Sequence, residues 1–530
     1  MHSIIRILAA LILVASAGLT ASAQKFKVTW GDNARLKYDF EDAVPVNNDQ
    51  FIILKLKGSA KISLFGAGQA EQQPILVLVD KNMETIVEKE LPIEEKEARL
   101  KGFEKYGSNI FFIYEAYNRE NKTTSVYAIK VNEKTLLTSN KITLGTYESD
   151  NRYDQAEPSY KLSADSTRVL LFVEGPDRKK ENKKFFVGVF DTNLKTIWKK
   201  DIELPMGDRY VSIYDQDITN DGKVFVAIKH YDKEVTRQMI REDGAKVPSY
   251  TYKLMVYDAG NTKGKEINFN LNNQFIQGTK LSYNKNGTIT IAGLYKRKHN
   301  GNINGAFYTT FNAGTSEIKD PKMVPFTPEM VTLVDKDNFG TDKDSDPGLY
   351  PGFRIQHILN RTNGSVDLIS EYYRLDVFTS YNSSTHTTTT SYRYTFGDII
   401  NTNIDKEGKA VFTRIPKNQK LTNSSIFLGY YPIVYGDKLV LLYNDDKDNV
   451  ERDLEKKPDD VVNFKRSIFM AATIDAKGNV SRQSVYSHLD EDYVTIPLAV
   501  EKISDTKYLI VSDLLKLFKR RTRFGVMEMK

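Results

Sequence analysis

Eight short apolar runs punctuate the chain. They are FIILKL (Phe51–Leu56), IFFIYE (Ile110–Glu115), VLLFVE (Val169–Glu174), VFVAIK (Val224–Lys229), ITIAGL (Ile289–Leu294), VDLISE (Val366–Glu371), LVLLYN (Leu439–Asn444) and YLIVSD (Tyr508–Asp513). A strand that is apolar at nearly every position is covered on both faces, whereas one buried on a single face alternates. Most of the runs follow a polar turn, such as Asn220-Asp221-Gly222, Lys285-Asn286-Gly287, Thr362-Asn363-Gly364 or Tyr435-Gly436-Asp437. Glycine accepts positive φ without a steric penalty, so these turns predict tight hairpins. A further strand often ends on Asp or Asn, as in Ile75–Asp80, Phe185–Asp191 and Tyr252–Asp258. Glu157–Pro205 shows the whole unit. It reads as strands at Ser159–Ser163, Val169–Glu174, Phe185–Asp191 and Thr196–Leu204, the last of them alternating.

Four-stranded meanders repeated about eight times predict an all-β fold, a β-propeller closed into a ring. The blade count is eight, or seven if the first unit is not a true blade. The last unit offers only Ile496–Ser504, Tyr508–Leu515 and Arg523–Met529, and the N-terminal region holds one unassigned strand, Lys25–Trp30. An N-terminal strand completing the last blade accounts for both and removes a free sheet edge. Three insertions interrupt the rhythm. Residues 325–351 are polar and Asp-rich, 377–396 (VFTSYNSSTHTTTTSYRYTF) reads as a projecting hairpin, and 445–460 reads as a mobile acidic and Lys-rich loop. Long insertions on a regular scaffold are where binding surfaces are built.

Residues 1–23 read as a secretory signal: Arg6, the apolar stretch Ile7–Ala17, and Ala21-Ser22-Ala23 before the cleavage point. The single domain then runs over 24–530, with no transmembrane segment. There are no cysteines, which excludes disulfides, Cys-zinc sites, thiol catalysis and a lipid-modified cysteine anchor. An exported, cysteine-free chain rich in Lys, Asn and Tyr is expected in the periplasm or outside a Gram-negative cell. The formal net charge of +6 is spread over 530 residues, too dilute to argue for nucleic acid.

Two resemblances bear on the fold. Leu162–Leu170 (LSADSTRVL) is similar to the hairpin of TolB-like propeller repeats, with Ala164 and Ser166 in place of that pattern's Pro and Gly. The repeat rhythm and Val28–Gly31 (VTWG) resemble exported propellers common in Bacteroidota. These resemblances imply a fold and a compartment and carry over no site residues.

Candidate chemistry is sparse. The sixth residue of the apolar run is acidic in four units: Glu115, Glu174, Glu371 and Asp513. At similar heights in different blades they would hold a cation or basic ligand between them; as strand-end residues they would pair with nearby lysines, and Lys229 at the same position suits the second outcome. Asp342, Asp344 and Asp346 alternate as in calcium loops, although Pro347 and Phe353 break the EF-hand pattern; calcium or a solvated loop are the alternatives. His230, His299, His357, His386 and His488 form no zinc-ligand pair. Lys161, Gln216, Lys280, Arg354, His357 and Tyr430 fall on or beside the innermost strands, which line the channel where propellers bind ligands. Tyr372, Tyr373, Tyr430 and Tyr431 sit in the units with long insertions and offer flat faces for sugars or peptides. The candidate ligand set is therefore Arg354, His357, Glu371, Tyr372, Tyr430 and Tyr431. The basic stretch Lys516–Arg523 is an exposed turn or a patch for anionic polymers. No G-x-S-x-G elbow or phosphate loop occurs. The expected function is a non-enzymatic scaffold of the cell envelope that binds a protein or glycan. The alternative is a polysaccharide hydrolase or lyase using carboxylates such as Glu371.

Overall fold

A computed structural model describes residues 25–31, 39–57, 73–95, 98–151, 158–175, 181–231, 239–242, 245–261, 263–284, 286–335, 346–514 and 522–530. Lys516–Arg521, Asp342, Asp344 and the signal segment lie outside the described residues.

Eight antiparallel meanders follow one another along the chain. Blade 1 is Asp39–Asn47, Gln50–Lys57, Gln73–Asp80 and Thr85–Glu90, a complete four-stranded unit, so the count is eight. The first strands of blades 2 to 7 are Ala98–Tyr106, Pro158–Leu162, Val211–Ile218, Phe275–Tyr283, Phe353–Asn360 and Tyr430–Tyr435. In blade 8 the first strand is split into Tyr493–Thr495 and Glu501–Lys502 by a 3-10 turn at Pro497–Ala499, where the sequence predicts one continuous strand. Pro497 has no N–H to give a ladder, which fits the break. Lys507–Leu514, Thr522–Met529 and Phe26–Trp30 complete this sheet.

The apolar runs form the second strands, and their successive residues go to opposite seams. Leu54 packs with Phe112 between blades 1 and 2, and Phe111 with Leu171 between 2 and 3. Leu170 meets Val226 at the next seam, and Phe225 meets Ile291 at the one after. Leu294 joins Leu368, then Ile369 joins Leu441, then Leu442 joins Ile510. Val511 returns to Ile53 of blade 1, and the ring is closed. Each buried Leu, Ile or Phe contributes about 1.5–3 kcal/mol of transfer free energy. Both faces of the second strand are spent in this way, which is why the runs do not alternate.

Closure is made by the N-terminal strand. Phe26 pairs with Met529 and Trp30 with Gly525, and Lys25 and Lys530 exchange backbone hydrogen bonds of 3.1 and 2.8 Å. A Cβ on residue 525 would stand 2.6 Å from the Trp30 ring, so glycine is needed where the indole crosses the strand. Trp30 also packs edge-on against Tyr486 of blade 7 at 5.2 Å.

The two faces of the ring differ. On one, first and second strands meet in tight turns, with positive φ at Gly222 and Gly364. On the other, second strands hand over to third strands and each blade to the next. The strand ends that flank residues 58–72 and 232–238 open on this loop face, and so do the described parts of the connections at 245–249, 326–335, 346–352 and 446–467. So does the blade 6 hairpin, whose arms Val366–Asn382 and Thr387–Ile404 run far past the blade. The 326–352 connection contains a helix at Pro328–Asp335, an element the polar reading of this insertion does not anticipate. The 446–467 connection does not hang free. Buried Asn449 bonds to Asp445 Oδ1 and to the Asp459 carbonyl, and folds the loop back on blade 7. Among the described residues no helix is long and apolar enough to cross a membrane.

Candidate ligand-binding site

The first strands lie against one another around the channel and leave their inner backbone groups without a sheet partner. Side chains of neighbouring blades fill that need. Asp215 and Asp217 of blade 4 accept from the N–H groups of Leu281 and Tyr283 on blade 5, at 2.8 and 2.6 Å. Lys161 of blade 3 donates to the carbonyls of Gln216 and Leu281, and Lys105 of blade 2 to those of Pro45 and Val46 on blade 1. Five first strands carry a register shift at the same place: Phe40/Asp42, Leu100/Gly102, Ile213/Asp215, Ile276/Gly278 and Ile355/His357. A bulge inserts one residue and reverses which side later residues face.

The channel charges fall into two arcs. On blades 3 to 5, Lys161 stands 3.2 Å from Asp217 and Lys280 stands 3.5 Å from Asp215. On blades 8, 1 and 2, half-buried Glu501, Asp42 and Glu104 have no Lys, Arg or His within ion-pair distance among the described residues. Asp42 is pushed up to about 7 by burial and by Glu104 and Glu41, against N–H bonds from Ala43 and Phe103 that favour its charge. Glu501 is pushed up to about 8 by burial, then by Asp42 and Glu104. Burial raises Glu104 as well. Residues 42, 104 and 501 are absent from the candidates drawn from sequence.

The sequence-derived candidates disperse. Arg354 and Tyr373 come together, with the guanidinium 4.1 Å from the ring centre. With Tyr350, Gly352, Arg374 and Leu375 they line an open cavity of about 420 Å³ at the base of the hairpin. Tyr372 lies beneath, 1% exposed, packed edge-on against Phe353. His357, on the first strand of blade 6, meets fully buried Tyr430 edge-on at 5.5 Å; burial and Lys280 hold the imidazole down at about 4. Tyr431, half-buried on blade 7, is close enough to Glu501 to feel its charge.

Glu371 is 1% exposed and bound to Lys417 Nζ at 2.6 Å. Lys417 also donates to Gln419, whose amide reaches the Asn444 carbonyl, while Asn444 bonds to the Thr495 carbonyl. The pair therefore braces blades 6, 7 and 8 from inside, and burial raises the Glu371 carboxyl against the pull of Lys417. Of the two outcomes open to the four strand-end acids, local partners rather than a shared ligand are what the structure shows. Glu115 pairs with Lys101 at 3.2 Å, Glu174 with Lys183 at 2.5 Å, and Asp513 accepts from Thr522 at 2.7 Å. The second strand is one strand removed from the axis, so each acid finds its partner locally.

Asp346 is buried and accepts from the Asn302 N–H at 2.7 Å and the Asn304 amide at 3.2 Å. Among the described residues, a carboxylate group tight enough for one metal ion is Asp446, Asp448 and Asp459, in the loop after the second strand of blade 7.

A ring of eight antiparallel blades sealed by its N-terminal strand makes this protein an eight-bladed β-propeller. No protein-family model matches the chain, and neither does any curated protein. Solved structures align over most of its length at low similarity. The β-propeller domain of the Trilobed protease from Pyrococcus furiosus is 12% identical, over 87% of this chain and 98% of that one, with a TM-score of 0.34. A PL25 polysaccharide lyase, an ulvan lyase, is 10% identical over 80% and 90%, at 0.35. A Bacteroides caccae protein of unknown function is 11% identical over 73% and 96%, at 0.28.

Proposed function

We propose that this protein is an exported binding scaffold of the cell envelope, processed near Ala23 and periplasmic or released, which holds a protein or glycan ligand on its loop face. One observation carries the reading: the regular blades gather their long connections on one face, and the cavity there presents Tyr350, Arg354, Tyr373 and Arg374 at the foot of the projecting hairpin. Aromatic faces beside guanidinium groups suit sugar rings and peptide carboxylates. The test is binding of purified envelope glycans and cross-linked envelope proteins to the processed chain, compared with Tyr350→Ala and Arg354→Ala. A ligand retained by the parent and lost by both variants is expected. Turnover of a polysaccharide by a parent that retains no ligand would overturn it.

The channel favours a second reading, a hydrolase or lyase on polysaccharide. Carboxyls held near 7 and 8, such as Asp42 and Glu501, are protonated in part or for the most part at neutral pH and have the character of general acids. Glu371 is sealed away from substrate, so an enzyme of this kind would lose its rate in Asp42→Asn and Glu501→Gln.

A further inference from the structure

A second cavity, of about 610 Å³, opens on the loop face between blades 4 and 5. Its wall is basic. Arg297, Lys298 and His299 follow one another just past the second strand of blade 5, and Lys246 comes from the small hairpin that blade 4 inserts between its second and third strands. Met239, Asn300, Gly301 and Asn302 complete the lining. Asp346 is the sole carboxylate among the described lining residues, and both its oxygens are already held, by the Asn302 N–H and the Asn304 amide.

More positive charge stands behind the wall. Lys229 lies among the rings of Tyr231, Tyr250 and Tyr214, at 4.6, 4.8 and 5.5 Å, and Lys296 precedes Arg297. Neither lysine has a carboxylate within 4 Å among the described residues. Burial, and then Lys296, hold Lys229 down at about 8. Burial lowers His299 too, followed by Lys296 and Lys229, so the three groups feel one another. Among the described residues the cations beside this cavity outnumber its one carboxylate, Asp346, which Lys296 also feels. An excess of positive charge raises the local concentration of anions, and charge-assisted bonds to an oxyanion are the strong kind.

We propose that this cavity binds an oxyanion group, a sulfate, phosphate or carboxylate, carried on a ligand of about the size of a sugar. Arg297 and Lys246 supply charge and N–H donors, and His299 supplies a ring hydrogen bond. The volume falls in the range of about 300–1,000 Å³ that takes whole small ligands, and it leaves room for a ring beyond the anionic group. The site is separate from the Arg354 cavity and stands on its own geometry, whether or not the proposed function holds.

The experiment is titration calorimetry of the processed chain with inorganic sulfate, with a sulfated disaccharide and with a uronic-acid disaccharide, at low and high salt. Saturable binding that weakens with salt is expected, together with a loss of about tenfold or more in Arg297→Ala and in Lys246→Glu. Lys477→Ala, an exposed lysine in a turn on the opposite face, should bind as the parent does. Arg297 is exposed, so the fold should survive its loss, and the thermal melt checks this. Binding of a disaccharide without inorganic sulfate assigns the anion to a glycan, and binding of sulfate alone assigns it to a free ion. No saturable binding of any of the three, or affinities unchanged in both variants, overturns the site.

Discussion

On the side of the channel built by blades 3 to 5, each lysine that reaches inward meets an aspartate, and each of those aspartates also accepts an N–H from the next blade. On the side built by blades 8, 1 and 2, three carboxyls share the space with no Lys, Arg or His within ion-pair distance among the described residues, the nearby Lys105 being spent on the Pro45 and Val46 carbonyls. The strands are alike and the chemistry is opposite. Paired charge here is part of the construction, because it fastens one inner strand to another. Unpaired charge is a standing electrostatic cost that persists where a protein uses it, by holding protons or by meeting a positive ligand.

The contrast breaks most visibly if a paired acid is removed. Asp217→Ala strips the Tyr283 N–H of its acceptor and leaves Lys161 with its carbonyl partners but no carboxylate. Asp217 is 4% exposed, but the Lys161 side chain is 34% exposed, so part of the lost attraction is replaced by water. A loss of about 2–3 kcal/mol in urea unfolding is expected. A loss below about 0.5 kcal/mol would mean that the paired arc does not fasten the blades.

The unpaired arc should show itself through pH. Glu501 titrates near 8 when folded, above the usual carboxyl value of about 4.3, and Asp42 titrates near 7. Between the two limits the folded chain binds more protons than the unfolded one, so stability falls as pH rises through this window and the cost is complete above about 8. Glu501→Gln removes its share. Linkage at the full shift is about 4 kcal/mol between pH 5 and pH 9, and solvent screening of this half-buried group roughly halves it, so the parent should lose about 2 kcal/mol more than the variant, read from urea midpoints. Parallel pH profiles would place the Glu501 carboxyl in ordinary solvent.

Sequence carried the ring because burial on both faces leaves a direct mark. Ile53 and Leu54, or Leu441 and Leu442, are adjacent apolar residues serving two seams, and no alternating strand looks like that. The closing strand was legible for a similar reason, since a last unit lacking one strand must find it elsewhere. The channel was not legible. A bulge such as Ile276/Gly278 turns the alternation over midway, so counting by twos from Phe275 misplaces everything after it. Asp42, Glu104 and Glu501 also lie in stretches where charge reads as solvent-facing. Glu371 shows the reverse failure: its place at the end of an apolar run suggested a rim, and its partner Lys417 comes from a connection 46 residues further on.

The smallest effect sharpens the paired side. His357 sits at about 4, chiefly because the ring is buried and secondarily because Lys280 is near. Lys280→Met leaves the burial and removes the charge, so the His357 midpoint should rise, by less than about one unit because the larger cause remains. NMR titration of the ring protons reads this directly. The lysine is only loosely held by Asp215 at 3.5 Å and is itself about one-third exposed, so stability should change by no more than about 1 kcal/mol. A midpoint that returns to the ordinary value near 6.5 would show that the lysine, rather than burial, sets the ring's state, and the charges of the paired arc would then reach further along the channel than their separations suggest.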